Sequence, residues 1–127
     1  MTDLTTSTLA VALADRYLAA WNEPDADRRN ALIAKAWEPD GTYLDPMFAS
    51  ESHAGISEMI AGFLGAYPGH TFTRVGEVEE HHDRLRFRWQ LTNADGEVQM
   101  LGTDIATRAP GGLLAEIVGF FDTPQPQ

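Results

Sequence analysis

The fold is decided by the stretch RLRFRWQL, which spans residues 84–91. Apolar and polar residues alternate along it, and its apolar positions are Leu85, Phe87, Trp89 and Leu91. Because successive side chains of a strand point to opposite faces of a sheet, this alternation predicts a strand with one buried face. The sequence NADG at residues 93–96 is typical of a hairpin turn. The chain is therefore predicted to return as an antiparallel strand over residues 97–108.

A last strand, LLAEIVGFF, is predicted over residues 113–121, after the turn sequence PGG at residues 110–112. This strand is apolar on both faces, so both sides of the sheet need apolar cover there. Helices are expected to cover one side. A second copy of the chain is expected to cover the other, which predicts a homodimer.

Two helices are predicted near the N-terminus. Apolar residues of the first recur with helical spacing at Leu9, Leu13, Tyr17 and Trp21, and Thr6 or Ser7 is the expected N-cap. The second helix is predicted from Asp27, as its N-cap, to Ala36, and the sequence EPDG at residues 38–41 should end it.

A short extended run is predicted at residues 42–45, stopped by Pro46 and followed by a loop at residues 49–53. A third helix then carries apolar residues on one side, at Ile56, Ile60, Phe63, Leu64 and Tyr67. The predicted order is α-α-β-α-β-β-β-β. It indicates an α+β fold in which a curved, mostly antiparallel sheet wraps around three N-terminal helices, with a pocket at the open end.

The composition restricts the classes of function. The chain has 127 residues, which is one domain on length, and its formal net charge of −10 repels phosphate backbones and anionic lipids, so neither nucleic acid nor a membrane is an expected partner. It contains no cysteine, which excludes disulfides and thiolate metal sites. No signal peptide or membrane span is recognised, so a cytoplasmic location is expected.

Three polar residues stand among apolar neighbours: Tyr17 in the first helix, Asp45 in the extended run and Asp104 in the strand after the hairpin. A carboxyl group in an apolar setting has its proton affinity altered, which is common in functional sites. Each also has a structural interpretation. Tyr17 could be a core aromatic and Asp45 could cap a turn, whereas Asp104 is harder to explain because strands disfavour aspartate.

Other candidates would line a pocket around these three residues. They are mainly apolar and comprise Trp21, Tyr43, Met47, His53, Phe63, Phe87, Trp89 and Met100. The sequence HHD at residues 81–83 resembles a metal cluster, but adjacent strand residues face opposite ways, so it is interpreted as a hairpin end. No phosphate loop or dinucleotide motif is present. No metal and no cofactor are predicted, and the expected partner is a small hydrophobic ligand such as a steroid, terpenoid or polyketide.

The chain resembles the nuclear transport factor 2-like superfamily, and within it the ketosteroid isomerase and SnoaL-like polyketide cyclase branches. The resemblance rests on RYLAAWN at residues 16–22, YLDP at 43–46, HAGI at 53–56, GTD at 102–104 and EIVGFFD at 116–122. It covers nearly the whole chain and implies a single SnoaL-like domain over residues 1–127 with the cystatin-like, conical fold of that superfamily.

The resemblance also implies roles for the three polar residues. In the isomerases, an aspartate removes a proton beside a ketone, while a tyrosine and a protonated aspartate donate hydrogen bonds to the enolate oxygen. The matching residues are Asp45 as the base, Tyr17 as the phenolic donor and Asp104 as the neutral acid. The implied activity is isomerisation or cyclisation of a small hydrophobic carbonyl compound without a cofactor.

Two alternatives remain open at the level of sequence. The chain could bind a hydrophobic ligand without catalysis, as other members of the superfamily do. It could also be an epoxide hydrolase of the same superfamily, which needs an Asp-Arg-Asp relay with Arg86 or Arg88 facing the pocket. An inward arginine would ionise Asp104 and weaken the isomerase interpretation.

Overall fold

The computed structural model describes residues 8–122. In chain order the elements are α1 Thr8–Trp21, α2 Ala26–Ala36, β1 Trp37–Leu44, β2 Ala49–Glu51, α3 Ser52–Ala66, β3 Thr71–His81, β4 Arg84–Thr92, β5 Val98–Arg108 and β6 Leu114–Phe121. The N-cap predicted at Thr6 or Ser7 lies outside the described residues.

The strands form one six-stranded sheet in the order β2-β1-β6-β5-β4-β3. β1 runs parallel to β6, and every other neighbouring pair is antiparallel. This confirms the predicted α+β fold of a curved, mostly antiparallel sheet around three helices. The hairpin predicted over residues 84–108 is present, and Phe87 lies opposite Asp104 in it.

Three boundaries differ from the prediction. Asp25, not Asp27, is the N-cap of α2, because its carboxylate accepts the backbone N–H of Arg28 at 2.9 Å. β1 begins at Trp37, because Trp37 already pairs with Leu114 of β6. Residues 38–41 lie in a register shift, and regular pairing with β6 continues from Thr42. The predicted loop at residues 49–53 contains β2, a short edge strand paired with the end of β1.

The inner face of the sheet carries the apolar side of β4. Leu85, Phe87, Trp89 and Leu91 are all buried there. The helices pack on this face through their apolar stripes, which include Leu13, Tyr17 and Trp21 of α1. The prediction was wrong for Leu9, which is 74% exposed at the start of α1.

The outer face of the sheet carries the arginines of β4. Arg86 is exposed and forms a two-point ion pair with Glu79 of β3, and Arg88 is also exposed. The alternation of β4 therefore places both arginines on the side away from the helices. Among the described residues, no helix is long and apolar enough to cross a membrane.

Polar contacts hold α1 against the sheet. The amide of Asn22, just past α1, exchanges two hydrogen bonds of 2.8 Å with the backbone of Phe72 in β3. Arg74 pairs with Asp15 at 2.8 Å along the same contact. These contacts set the position of Tyr17 over the inner face of the sheet.

Candidate active site

A cavity of about 140 Å³ lies between the helices and the inner face of the sheet. Its wall is mostly aromatic and apolar, and it is formed by Tyr17, Leu18, Trp21, Tyr43, Asp45, Met47, Phe48, Phe63, Tyr67, His70, Phe72, Trp89, Leu91, Gln99, Met100 and Phe121. Tyr17, Trp21 and Tyr43 are buried and form its inner end, whereas Met47 and Tyr67 are partly exposed and mark its mouth.

Asp104 lies behind this wall and contacts the cavity residue Tyr17. It is 1% exposed and does not belong to the lining. The Tyr17 hydroxyl donates a hydrogen bond of 2.6 Å to Asp104 Oδ2. Oδ1 is buried and has no hydrogen-bond partner among the described residues. A carboxyl group in this position acts on a ligand through the side chains in front of it, of which Tyr17 is the one hydrogen-bonded to it at 2.6 Å.

Burial raises the pKa of Asp104 to about 7. The polar contacts with Tyr17 and Trp89 oppose this rise, and the nearby carboxylates of Asp45 and Asp122 add to it. Burial also raises the pKa of Tyr17 well above the usual range of a phenol, helped by the charge of Asp104. Tyr17 therefore keeps its proton across the neutral range. Asp104, in contrast, keeps its proton to a much higher pH than an ordinary aspartate and releases it in the neutral range.

Asp45 is held in a different way, at the end of β1. Its Oδ1 accepts the backbone N–H groups of Met47 at 2.7 Å and Phe48 at 2.8 Å, and its Oδ2 accepts the hydroxyl of Tyr43 at 2.5 Å. The two oxygens of a carboxylate offer about four acceptor positions, so these three donors leave one position free. The local cause is the turn at Pro46, which folds the two amides back onto the carboxylate.

Gly119 of β6 lies between the two carboxyl groups. It is directly opposite Asp104 in the sheet, and β1 ends beside it just before Asp45. A Cβ atom at this position would lie 2.6 Å from Asp104 Oδ1 and 3.3 Å from the Cβ of Asp45. The missing side chain of Gly119 therefore allows both carboxyl groups to reach the same region.

Tyr43 links the two halves of the site. It donates a hydrogen bond to Asp45 and also lies near Tyr17 and Asp104. Burial raises the pKa of Tyr43 well above the usual range of a phenol, and the charges of Asp104 and Asp45 add to this rise. The group as a whole runs from the buried acid Asp104 through two phenols to Asp45 on the cavity wall. We call these residues, Tyr17, Tyr43, Asp45 and Asp104, the carboxyl–phenol group.

Comparison with known proteins gives the family. A family model described as the SnoaL-like domain matches residues 14–117. The chain belongs to the SnoaL-like domain family. No curated protein matches it in sequence.

Solved structures agree with this family. A SnoaL-like protein from Agrobacterium tumefaciens, provisionally named an isomerase, is 36% identical over 92% of this chain and 100% of its own, with a TM-score of 0.88. A provisionally named SnoaL-like polyketide cyclase from Jannaschia sp. CCS1 shares the fold, with a TM-score of 0.70, 15% identity and coverage of 96% and 92%. A Methylobium petroleophilum protein of unknown function with a cystatin-like fold has a TM-score of 0.74, 16% identity and coverage of 98% and 83%.

In this SnoaL-like protein most of the candidates from the sequence lie together. The cavity is lined by eight of them, namely Tyr17, Trp21, Tyr43, Asp45, Met47, Phe63, Trp89 and Met100. His53 does not line it, because its Nε2 contacts the backbone oxygen of Trp37 at 2.8 Å. Phe87 lies outside the lining as well, buried edge-on against Tyr17 with ring centres 5.5 Å apart.

Sequence reasoning missed part of the lining of the SnoaL-like cavity. Phe48 and His70 lie in connecting segments, where no periodicity predicts the direction of a side chain. Phe72 and Leu91 lie on strands of the inner face, and the alternation of β4 could have indicated Leu91. The role of the Tyr43 hydroxyl was also missed, although Tyr43 and Asp45 share a strand face.

The charges around the SnoaL-like cavity are acidic. None of the described residues that line it is Lys or Arg, and both Arg86 and Arg88 lie on the other face of the sheet. The relay that an epoxide hydrolase needs is therefore not formed by these arginines. No group of three or more possible metal ligands occurs among residues 8–122.

Proposed function

We propose that this SnoaL-like protein removes a proton from the carbon next to a carbonyl group in a small hydrophobic compound. The observation that carries the proposal is the contrast between two neighbouring carboxyl groups. Asp104 is buried, with a pKa raised to about 7 by burial, and Asp45 lies on the cavity wall with three hydrogen-bond donors. Two carboxyl groups in such different settings supply an acid and a base at the same pH.

In this mechanism Asp45 is the base. Its free acceptor position takes the proton from carbon, and the negative charge that develops moves to the carbonyl oxygen of the substrate. Tyr17 donates a hydrogen bond to that oxygen. This hydrogen bond raises the reaction rate because it becomes stronger as the oxygen becomes negative in the transition state.

Asp104 is a positioning residue in this proposal, since it acts through Tyr17. While Asp104 is protonated, it donates its own proton to the Tyr17 oxygen, and the Tyr17 hydroxyl is free to turn to the substrate. When Asp104 ionises, it takes the Tyr17 hydrogen bond for itself. This differs from the direct donor role that the family resemblance implies for Asp104.

The enolate then has two possible fates. Return of the proton to a different carbon completes an isomerisation, and attack of the enolate carbon on a second carbonyl completes a cyclisation. The provisional names of the Agrobacterium and Jannaschia proteins correspond to these two reactions. Both begin with the same proton transfer, which needs only side chains, so an assay of proton exchange tests the shared step.

Replacing Tyr17 by Phe tests the proposed donor. Cyclohexenone is a suitable probe because its carbonyl oxygen only accepts hydrogen bonds, and Trp21 and Trp89 in the cavity wall report its binding by fluorescence. At about pH 6 we expect Tyr17→Phe to weaken binding roughly tenfold, as expected for the loss of one buried hydrogen bond. Tyr67→Phe, at the mouth of the same cavity, is the matched control. Equal affinity in wild type and Tyr17→Phe would contradict the donor role.

We also propose that the outer sheet face forms a homodimer. Leu44, Val118 and Ile105 lie side by side on three neighbouring strands, and Phe120 continues this row. Phe120 and Leu44 are 54% and 52% exposed. A row of exposed apolar side chains on a sheet is typical of an interface between copies.

The dimer proposal predicts the mass of two chains by light scattering. Phe120→Asp places a charge in the apolar row and should shift the protein toward the mass of one chain. Val98→Asp is the control, because Val98 is 53% exposed at the start of β5, away from the row. A wild type with the mass of one chain at all concentrations tested would contradict the proposal.

A further inference from the structure

The size and charge of the cavity restrict the substrate further than the family does. Its volume is about 140 Å³, close to the about 150 Å³ of a closed apolar cavity that holds one benzene molecule, so the space enclosed between the helices and the sheet has room for one ring. We infer that the substrate is an uncharged carbonyl compound built on a single ring, not a steroid or another fused polycyclic molecule. This inference rests on the proposed function, because it assumes that the carbonyl oxygen meets Tyr17.

The wall that limits the cavity is densely packed with aromatic rings. Trp21 is the centre of an aromatic cluster, with ring centres 5.4 Å from Tyr43, 5.6 Å from Phe63 and 5.4 Å from Phe72. Phe72 in turn packs on Trp89 at 5.2 Å. Packed rings of this kind make room for a second fused ring only by displacing several neighbours together, which costs as much as overpacking a core.

Gly102 shows how closely one of these rings is packed. A Cβ atom at this glycine would lie 2.1 Å from the indole ring of Trp89, so the ring rests on bare backbone of β5. Trp89 has no space to retreat toward the sheet. On the opposite side Phe63 is held between Trp21 and Tyr67. The inner end of the cavity is therefore limited on the strand side and on the helix side.

The polar groups of the wall exclude an anionic substrate. The described lining residues include the carboxylate of Asp45 and no Lys or Arg, and Asp104 lies directly behind Tyr17. A carboxylate or phosphate would lose its hydration beside Asp45 without an arginine or lysine to pair with. The lining residue that could offer a positive charge is His70, whose Nδ1 contacts the backbone oxygen of Pro68 at 3.3 Å. The hydroxyl of Tyr17, in contrast, suits one carbonyl oxygen, while the hydroxyl of Tyr43 stays with Asp45.

A series of enones that differ only in ring number tests the size limit. The probes are cyclohexenone, a two-ring octalone and the four-ring testosterone, titrated into wild type and Tyr17→Phe at about pH 6. In an unrestricted apolar site each added ring would raise the affinity, since about 0.8 kcal/mol is gained per buried CH₂ group. We expect instead that octalone binds no tighter than cyclohexenone and that testosterone binds at least tenfold more weakly.

Two further arms sharpen the test. Phe63→Leu enlarges the cavity and should raise the affinity for octalone relative to cyclohexenone, whereas Phe120→Leu, on the outer face, should leave the ratio unchanged. The anion oxocyclohexanecarboxylate should bind at least tenfold more weakly than neutral methylcyclohexanone. If Phe63→Leu does not fold, the wild-type series alone decides.

The outcomes distinguish a failure of the size limit from a failure of the proposed function. Tighter binding of testosterone or octalone that still depends on Tyr17 would overturn the size limit and leave the proposed function intact. Binding of cyclohexenone that does not depend on Tyr17 would contradict the proposed function itself. Failure of all three enones to bind would overturn both.

Discussion

Replacing Asp45 by Asn is expected to lower the rate of proton exchange on cyclohexanone by about 10²- to 10⁴-fold, the usual contribution of a general base. The amide cannot take a proton from carbon. It can still accept hydrogen bonds from Met47 and Phe48 through its oxygen, so the turn and the cavity should keep their shape. The measurement is deuterium incorporation from heavy water at the carbons next to the carbonyl, followed by NMR.

Asp40→Asn is the matched control for this variant. Asp40 lies on the same strand, β1, but is exposed and away from the cavity, so its replacement should leave the exchange rate unchanged. An unchanged rate in Asp45→Asn would exclude Asp45 as the base. Absence of exchange in the wild type, combined with Tyr17-dependent binding of cyclohexenone, would instead identify a ligand-binding protein without catalysis.

Replacing Asp104 by Asn is expected to remove a large pH dependence from the stability of the fold. Burial raises the pKa of Asp104 to about 7 from the ordinary 3.8. The folded protein therefore keeps this proton at pH values where the unfolded chain has released it. The resulting stabilisation is fully present below about pH 4, falls as the pH rises, and is lost above about pH 7. The total loss of unfolding free energy over this range is about 4 kcal/mol.

The difference between the two proteins isolates this effect from all other titrating groups. The amide that replaces the carboxyl group has no proton to release, so the stability of Asp104→Asn relative to wild type should rise by about 4 kcal/mol between about pH 4 and about pH 8. Urea unfolding across this range measures it, with Asp40→Asn as an exposed control. A stability difference that stays constant with pH would mean that Asp104 ionises normally in the folded protein.

The sequence was sufficient for the parts of the fold that repeat regularly. The alternation at residues 84–91 predicted β4 and its buried face, and the spacing of Leu13, Tyr17 and Trp21 predicted which side of α1 is buried. Asp104 stood out because its strand neighbours at Gly102 and Ala106 turn the same way into the core. In a regular helix or strand the backbone fixes the direction of each side chain, so the sequence pattern predicts which residues are buried.

The rest depended on contacts that no local pattern records. Asp104 lies behind Tyr17 and outside the cavity wall. This arrangement depends on the position of α1 on the sheet, which is held by the hydrogen bonds between Asn22 and the backbone of Phe72. The three donors of Asp45 come from a turn and from a hydroxyl two residues earlier. The start of β1 was missed because pairing with β6, which is distant in sequence, overrides the turn-forming residues at 38–41.

The central claim is that the Tyr17 hydroxyl serves a ligand only while Asp104 holds its proton. The most direct test is the affinity for cyclohexenone between about pH 6 and about pH 9, a range in which the ketone itself does not titrate. In wild type the affinity should fall roughly tenfold as the pH rises through 7, the value expected for Asp104. Asp104→Asn, which donates to Tyr17 at every pH, should bind with constant affinity. Constant affinity in wild type, or the same fall in Asp104→Asn, would contradict the account.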